Sequence, residues 1–210
     1  MQLKHFFISM MIGGMLISCG GNKSSEDDES ASTGISETIG GIRNLNKAAD
    51  AAKDWEKTQE KLVTKTPLTN DEIKAVFPET LAGMKRSSFT VGESQMMGVN
   101  SGQASYSDGE GKSVEVSVMD GAGETGAAMV AMYVMTLSVD TEQQTETGYT
   151  KTTKFNGNRA TVSENKQDDW VNSEITTLVS DRYIVSLDAS GMSLKELEKV
   201  FDELNLNSLK

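Results

Sequence analysis

One cysteine, one histidine and two prolines in 210 residues leave this chain short of the usual tools of stapling and catalysis. A lone Cys19 cannot form an intrachain disulfide, so whatever folds here is held by packing alone. His5, the sole histidine, lies upstream of Cys19. Basic charge is also scarce, with 20 Lys and Arg against 31 Asp and Glu. Affinity for nucleic acid comes from cations neutralising phosphates, so this composition excludes nucleic acid as a partner and offers no basic patch to anionic headgroups. Long hydrophobic runs are missing too. The apolar stretch Phe6–Ile17 is broken by Gly13 and Gly14 and falls short of the roughly 20 residues that span a bilayer.

That short run is built like a secretory signal instead. Lys4 supplies the positive start, residues 6–17 the apolar core, and Ser18 the small residue of a cleavage site. Leu16-Ile17-Ser18-Cys19 resembles the lipobox of bacterial lipoproteins, in which the cysteine becomes the lipid-modified N-terminus. The resemblance implies a signal peptide over 1–18, removed on maturation, and acyl chains of the palmitate type on Cys19. Each buried methylene of such chains contributes about 0.8 kcal/mol to membrane binding. It also implies a loss of chemistry. Without His5 and a free Cys19 thiol, Ser-His-Asp and Cys-His catalysis, His/Cys zinc ligation and dithiol redox work are all removed. Losing Lys4 leaves 19 basic and 31 acidic residues, a net charge of −12.

Residues 19–34 follow as a Gly/Ser/acidic stretch with too little apolar surface to fold, a disordered tether. Lys23 and then Glu26-Asp27-Asp28-Glu29 can be read as solvated linker. They also resemble the surface-export signal of Bacteroidetes-type lipoproteins, which directs them to the outer face of the outer membrane. Gly20 occupies the position where an aspartate would resemble an inner-membrane retention mark. The expected location is the outer membrane, lipid-anchored, on its periplasmic or cell-surface face.

Over 35–65 one narrow apolar stripe recurs at helical spacing, through Ile39, Ile42, Leu45, Ala49, Ala52, Trp55 and Leu62. Its other side carries Lys53, Asp54, Glu56, Lys57, Glu60 and Lys61, suited to water and to (i, i+4) pairing. This reads as a stalk helix, or one that docks on its own domain or on a protein partner.

Residues 66–210 read as one α+β domain. Thr69 and Glu72 have capping-box spacing, predicting a short helix from Asn70 to Phe77 that ends at Pro78. Strands are expected around Phe89 and Val91, around Ala104 and Tyr106, and over Val114–Val118 after the turn Asp108-Gly109-Glu110-Gly111. Residues 124–139 are apolar on every side, which predicts a buried helix. Strand character returns over Thr147–Phe155, and Asn156-Gly157 turns it into Arg159–Ser163. A second hairpin runs from Val171–Val179 through Ser180-Asp181 to Arg182–Leu187. A last helix starts at Ser193, capped by Glu196, with Leu194, Leu197, Val200, Phe201 and Leu204 on its inner face. The expectation is an antiparallel sheet of six or seven strands with helices packed on one face. The element order is loosely similar to small exported domains of the PsbP-like type, a resemblance of architecture that carries no function.

Candidate chemistry is thin. Asp108, Glu110, Asp120 and Glu124 gather in loops at either end of one strand, and Asp168-Asp169 precedes Trp170. Such pairs could serve a carboxylate-based hydrolase of envelope or extracellular glycans, or bind calcium, although no stretch has EF-hand spacing. Gly121-Ala122-Gly123-Glu124 lacks the third glycine and the lysine of the nucleotide loops and reads as a strand-to-helix turn. Met96-Met97, Met119, Met129, Met132 and Met135 read as core or loop filler, or as ligands for a soft metal ion. Trp170 either stacks on a sugar or seals a sheet edge. No cofactor is expected. The reading is a non-catalytic envelope lipoprotein that works by binding or by organising the envelope, with the glycan hydrolase as the alternative.

Overall fold

The protein is described by a computed structural model over residues 55–94 and 98–209. The described chain opens in helix α1, over 55–63, followed by α2 (Asn70–Lys74). Four strands come next: β1 (Thr80–Leu81), β2 (Met84–Ser94), β3 (Val99–Ser107) and β4 (Ser113–Asp120). Helix α3 (Gly123–Ser138) leads into β5 (Glu142–Gln144), β6 (Gly148–Phe155), β7 (Asn158–Gln167), β8 (Trp170–Val179) and β9 (Tyr183–Ser190). Helix α4 (Leu194–Asp202) and a 3-10 turn at Leu206–Ser208 close the chain.

Every neighbouring pair is antiparallel, in the order β1-β2-β3-β4-β9-β8-β7-β6-β5. Two meanders are thus joined at the centre of the sheet by β4 and β9. The strict alternation of Val114, Val116 and Val118 puts all three on one face, opposite Ala189, Leu187 and Val185 of β9. Local signals hold where chemistry demanded them. Thr69 and Glu72 complete a capping box on α2, and Asn156 and Gly157 both take positive φ, 47° and 82°, at the β6–β7 turn.

The sheet has nine strands, not six or seven. The two extra strands, β1 and β5, are two and three residues long and lie at the edges. Elements so short carry no period, and Glu142-Gln143-Gln144 is exposed throughout.

The helices do not all lie on one face. Ile175 and Leu187 face a core shared with α2 and α4, where Phe155 meets Phe201 edge-on at 4.8 Å. Leu178 and Ile184, one step out of phase along β8 and β9, face the other way and pack with α1 and α3. Both faces of the central strands are therefore covered, and β9 reads Tyr-Ile-Val-Ser-Leu because it must be apolar on two sides at its start.

Helix α3 also differs from the buried helix expected. Gly126, Ala127, Val130 and Leu137 are buried, but Met132 and Met135 are 71% and 65% exposed. An apolar circumference is thus a one-sided packing element here. A Cβ added to Gly126 would stand 2.8 Å from the Asp120 carbonyl oxygen, so only glycine lets α3 start this close to the end of β4.

The apolar stripe foreseen over 35–65 is described only from Trp55 onward. There α1 docks on its own domain, with Trp55 and Leu62 buried beside Ala127, Val130, Leu137 and Leu178. Residues 35–54 lie outside the described residues. Among the described residues no helix is long and apolar enough to cross a membrane.

Candidate functional site

At the end of the sheet where α1 joins it, the domain opens a cleft of about 400 Å³. One wall is Trp55 and Thr58 of α1, a second is Val134, Leu137 and Ser138 at the end of α3, and the floor is Leu178 with Arg159. The turns of two hairpins, Gly157-Asn158 and Asp181, form the rim. This volume lies in the range of small-ligand sites, which pair apolar walls with a few placed polar groups.

The polar groups are held in position. Arg159 Nε donates to the Leu137 carbonyl at the C-terminus of α3, and its Nη2 meets Asp140 at 2.6 Å. A cation at that helix end is favoured by the helix dipole. Tyr133 donates its hydroxyl to the Thr176 carbonyl, and burial pushes its phenol up to about 12. Trp55 is only 8% exposed. Among the described residues its indole Nε1 is buried with no hydrogen-bond partner.

One residue past Asp181 at the rim, Arg182 forms a buried ion pair with Asp120 that fixes the segment between α1 and α2. Asp120 also accepts the Leu68 N–H at 2.7 Å and the Ala122 N–H at 3.0 Å, and Arg182 donates to the Thr66 carbonyl at 3.0 Å. Burial works against the guanidinium charge, but the hydrogen bonds and charge of Asp120 outweigh it and hold Arg182 above its ordinary value. Asp120 is thus a structural anion with its oxygens occupied, not a loop carboxylate.

The other acidic candidates are dispersed. Asp108 and Glu110 sit in the turn before β4, while Asp120 ends that strand and Glu124 follows in α3, about 23 Å along an eight-residue strand. The Asp108 carboxylate accepts the N–H groups of Glu110 and Lys112 and so braces its own turn. Asp168 and Asp169 form the β7–β8 turn, with Asp168 at φ 55°. Among the described residues, Asp181 is the one carboxylate that lines the cleft. Among the described residues no group of three or more Asp, Glu, His or Cys could hold a metal ion.

Trp170 lies at the opposite end of the sheet from the cleft, 47% exposed, its Nε1 donating to Asn172 Oδ1 at 3.0 Å. The tip of its ring rests against Gly111 and Gly191, where an added Cβ would stand 3.3 and 3.4 Å from Cη2. It covers the end of the sheet and leaves part of its ring open.

Leu16, Ile17, Ser18, Cys19, Lys23, Glu26, Asp27, Asp28 and Glu29 lie outside the described residues, as do His5 and Met96-Met97. Of the cleft residues, Trp55 stands on the apolar stripe legible in the sequence. Arg159, Leu178 and Asp181 gave no signal, because strands and turns far apart in the chain bring them together. No family model, no curated protein and no solved structure matches this chain.

Proposed function

We propose that this chain is an envelope lipoprotein, held at the outer membrane by lipid on Cys19, whose folded domain binds a ligand and carries out no reaction. One observation carries the binding half: the cleft between α1 and the end of α3, with Leu178 in its floor and Arg159 beside it held in place by Asp140. The apolar walls and the already paired Arg159 suit a small, mostly apolar molecule. The anchoring half rests on Leu16-Ile17-Ser18-Cys19 and the acidic run Glu26–Glu29 in the sequence.

Two measurements test the two halves separately. The intact mass of the membrane-extracted chain is expected to start at Cys19 and to carry acyl chains, and Cys19→Ala is expected to prevent lipidation. A mass starting at Met1, or an unmodified Cys19, overturns the anchor. Native mass spectrometry of the gently extracted protein is expected to show a bound small molecule. Val134→Trp, which fills the cleft, should abolish it. An adduct that survives the filling places binding elsewhere, and no adduct in either protein overturns the cleft reading.

A further inference from the structure

Strand β2 is eleven residues long, and β3 pairs with it along almost its whole length. On its other side, β1 covers only Met84 and Lys85. The Arg86 N–H still reaches the Glu79 carbonyl at 3.0 Å. Beyond that point, among the described residues, no strand lies against 88–94 on the outer side. Every second residue of such an edge directs its N–H and C=O outward, a template for another strand. Short edge strands escape this exposure, as β5 does at the other end of the sheet. β2 does not.

We propose that the outer edge of β2 pairs with the same edge of a second copy of this chain, antiparallel about a two-fold axis at Thr90. The sequence of the edge selects that partner and that register. Lys85 and Arg86 stand at one end and Glu93 at the other, with no charge between them. Antiparallel self-pairing sets the basic end of each strand beside the acidic end of the other, whereas a parallel pairing sets like against like. Centring on Thr90 places Phe89 opposite Val91 of the second copy, twice by symmetry, and Thr90 opposite its own counterpart. Aromatic with β-branched, Thr with Thr, and opposite charges are the cross-strand pairs that favour a sheet.

Phe89 and Val91 are half-buried against the core on the α2 side, with Phe89 at 5.5 Å from the Phe77 ring. Joining them across the axis extends that core from one copy into the next. Alternative registers on the same face are poorer. A two-residue slip one way carries the bulge between Arg86 and Ser88 in towards the axis, setting Ser87 opposite Val91. A slip the other way sets Phe89 opposite Glu93. The result is one continuous antiparallel sheet through both copies.

The test uses the full chain, oxidised mildly in isolated membranes before extraction, with the parent chain as blank. Directly opposed residues lie about 4.5–5.5 Å apart between Cα atoms, within the roughly 4.4–6.8 Å that a disulfide bridges. Thr90→Cys is expected to give a band at twice the chain mass above the parent level. Ser88→Cys is expected to give none, because its position faces Gly92. Both side chains are exposed, so neither change disturbs the core. Thr90→Lys, which sets two lysines face to face, is expected to convert the dimer to monomer in analytical ultracentrifugation of the detergent-extracted chain. Cross-linking at both positions or at neither overturns the proposal, as does a dimer unaffected by Thr90→Lys. A monomeric parent overturns it as well, whether the edge is bare or filled by residues 1–54 or by a foreign strand.

Discussion

Arg182 grips Asp120 with two hydrogen bonds, Nε to Oδ1 at 2.7 Å and Nη2 to Oδ2 at 2.8 Å, across 62 residues of sequence. The two side chains come from the end of β4 and the β8–β9 turn, and both are buried. Through Leu68 and Thr66 the pair also holds the connection between α1 and α2. It therefore ties the chain between α1 and α2 to the centre of the sheet.

Breaking this pair from one side strands a charge in the interior. Asp120→Ala is expected to lose about 3–5 kcal/mol, the cost of leaving a buried partner uncompensated. The double change Asp120→Ala with Arg182→Met should recover part of that loss, since an apolar replacement leaves no orphan charge. Urea unfolding of the parent, Asp120→Ala, Arg182→Met and the double variant reads this directly. A single variant within about 0.5 kcal/mol of the parent, the usual range of surface changes, would show that the pair holds nothing in place.

Glu196 supplies a pH-dependent element at the start of α4. Its carboxylate accepts the Lys112 ammonium at 2.8 Å, and the Ser193 N–H and hydroxyl at 2.9 and 2.7 Å. Lys112 first, then Ser193, hold its pKa down to about 2 from an ordinary 4.5. A folded value below the unfolded one means the contribution is complete above about pH 4.5 and disappears as pH falls through about 2. Glu196→Gln is expected to lower the unfolding midpoint near neutral pH, with the gap to the parent closing in acid. With the Glu196 side chain 43% exposed, the Lys112 share should also shrink in salt. A gap that stays constant from pH 7 to pH 2 contradicts the assignment.

Exposure sorts the methionines. Met132 and Met135 face solvent on α3, while Met84 and Met192 are only 3% and 5% exposed. Under dilute peroxide the first two are expected to become sulfoxides while Met84 and Met192 remain thioethers, since oxidation follows access. Peptide mapping by mass spectrometry distinguishes them. Equal oxidation at all four would mean that α3 is covered or that the core is open. Replacing Met132 and Met135 by lysine should change stability by no more than about 0.5 kcal/mol each, because neither packs inward.

Local signals in the sequence carried local structure. Ser193 with Glu196, Thr69 with Glu72, Asn156-Gly157 and the alternating valines of β4 each name an element whose cause lies within four residues. The edge strands β1 and β5 escaped because two or three residues have no period. The face that α3 covers was hidden for another reason: the period of a helix says which side is apolar, never which side of a sheet receives it. Met132 shows the limit most clearly, since in sequence it is indistinguishable from buried Val130. The cleft was illegible because Trp55, Leu137, Arg159 and Asp181 converge only through strand order. Trp55 and Leu137 announced only packing roles, one as a step on the apolar stripe and the other within the apolar block 124–139.

Trp55 gives the sharpest test of the cleft. Its indole ring is packed between α1 and α3, yet its Nε1 is buried without a partner among the described residues. An unsatisfied buried donor costs about 1–3 kcal/mol, while the ring's burial is worth more than that. Trp55→Phe keeps most of the ring and removes the donor, so it is expected to leave stability unchanged or raise it slightly. Trp55→Ala removes both, a loss of about 3–5 kcal/mol if the whole domain felt it. Because α1 caps one side of the sheet, that loss should appear as local opening of the helix. In hydrogen exchange, the amides of 55–63 are expected to lose protection in Trp55→Ala while those of β4 and β9 keep theirs. Equal destabilisation by Phe and Ala would mean that the indole nitrogen is satisfied after all and that the ring is held by a bond, not by packing.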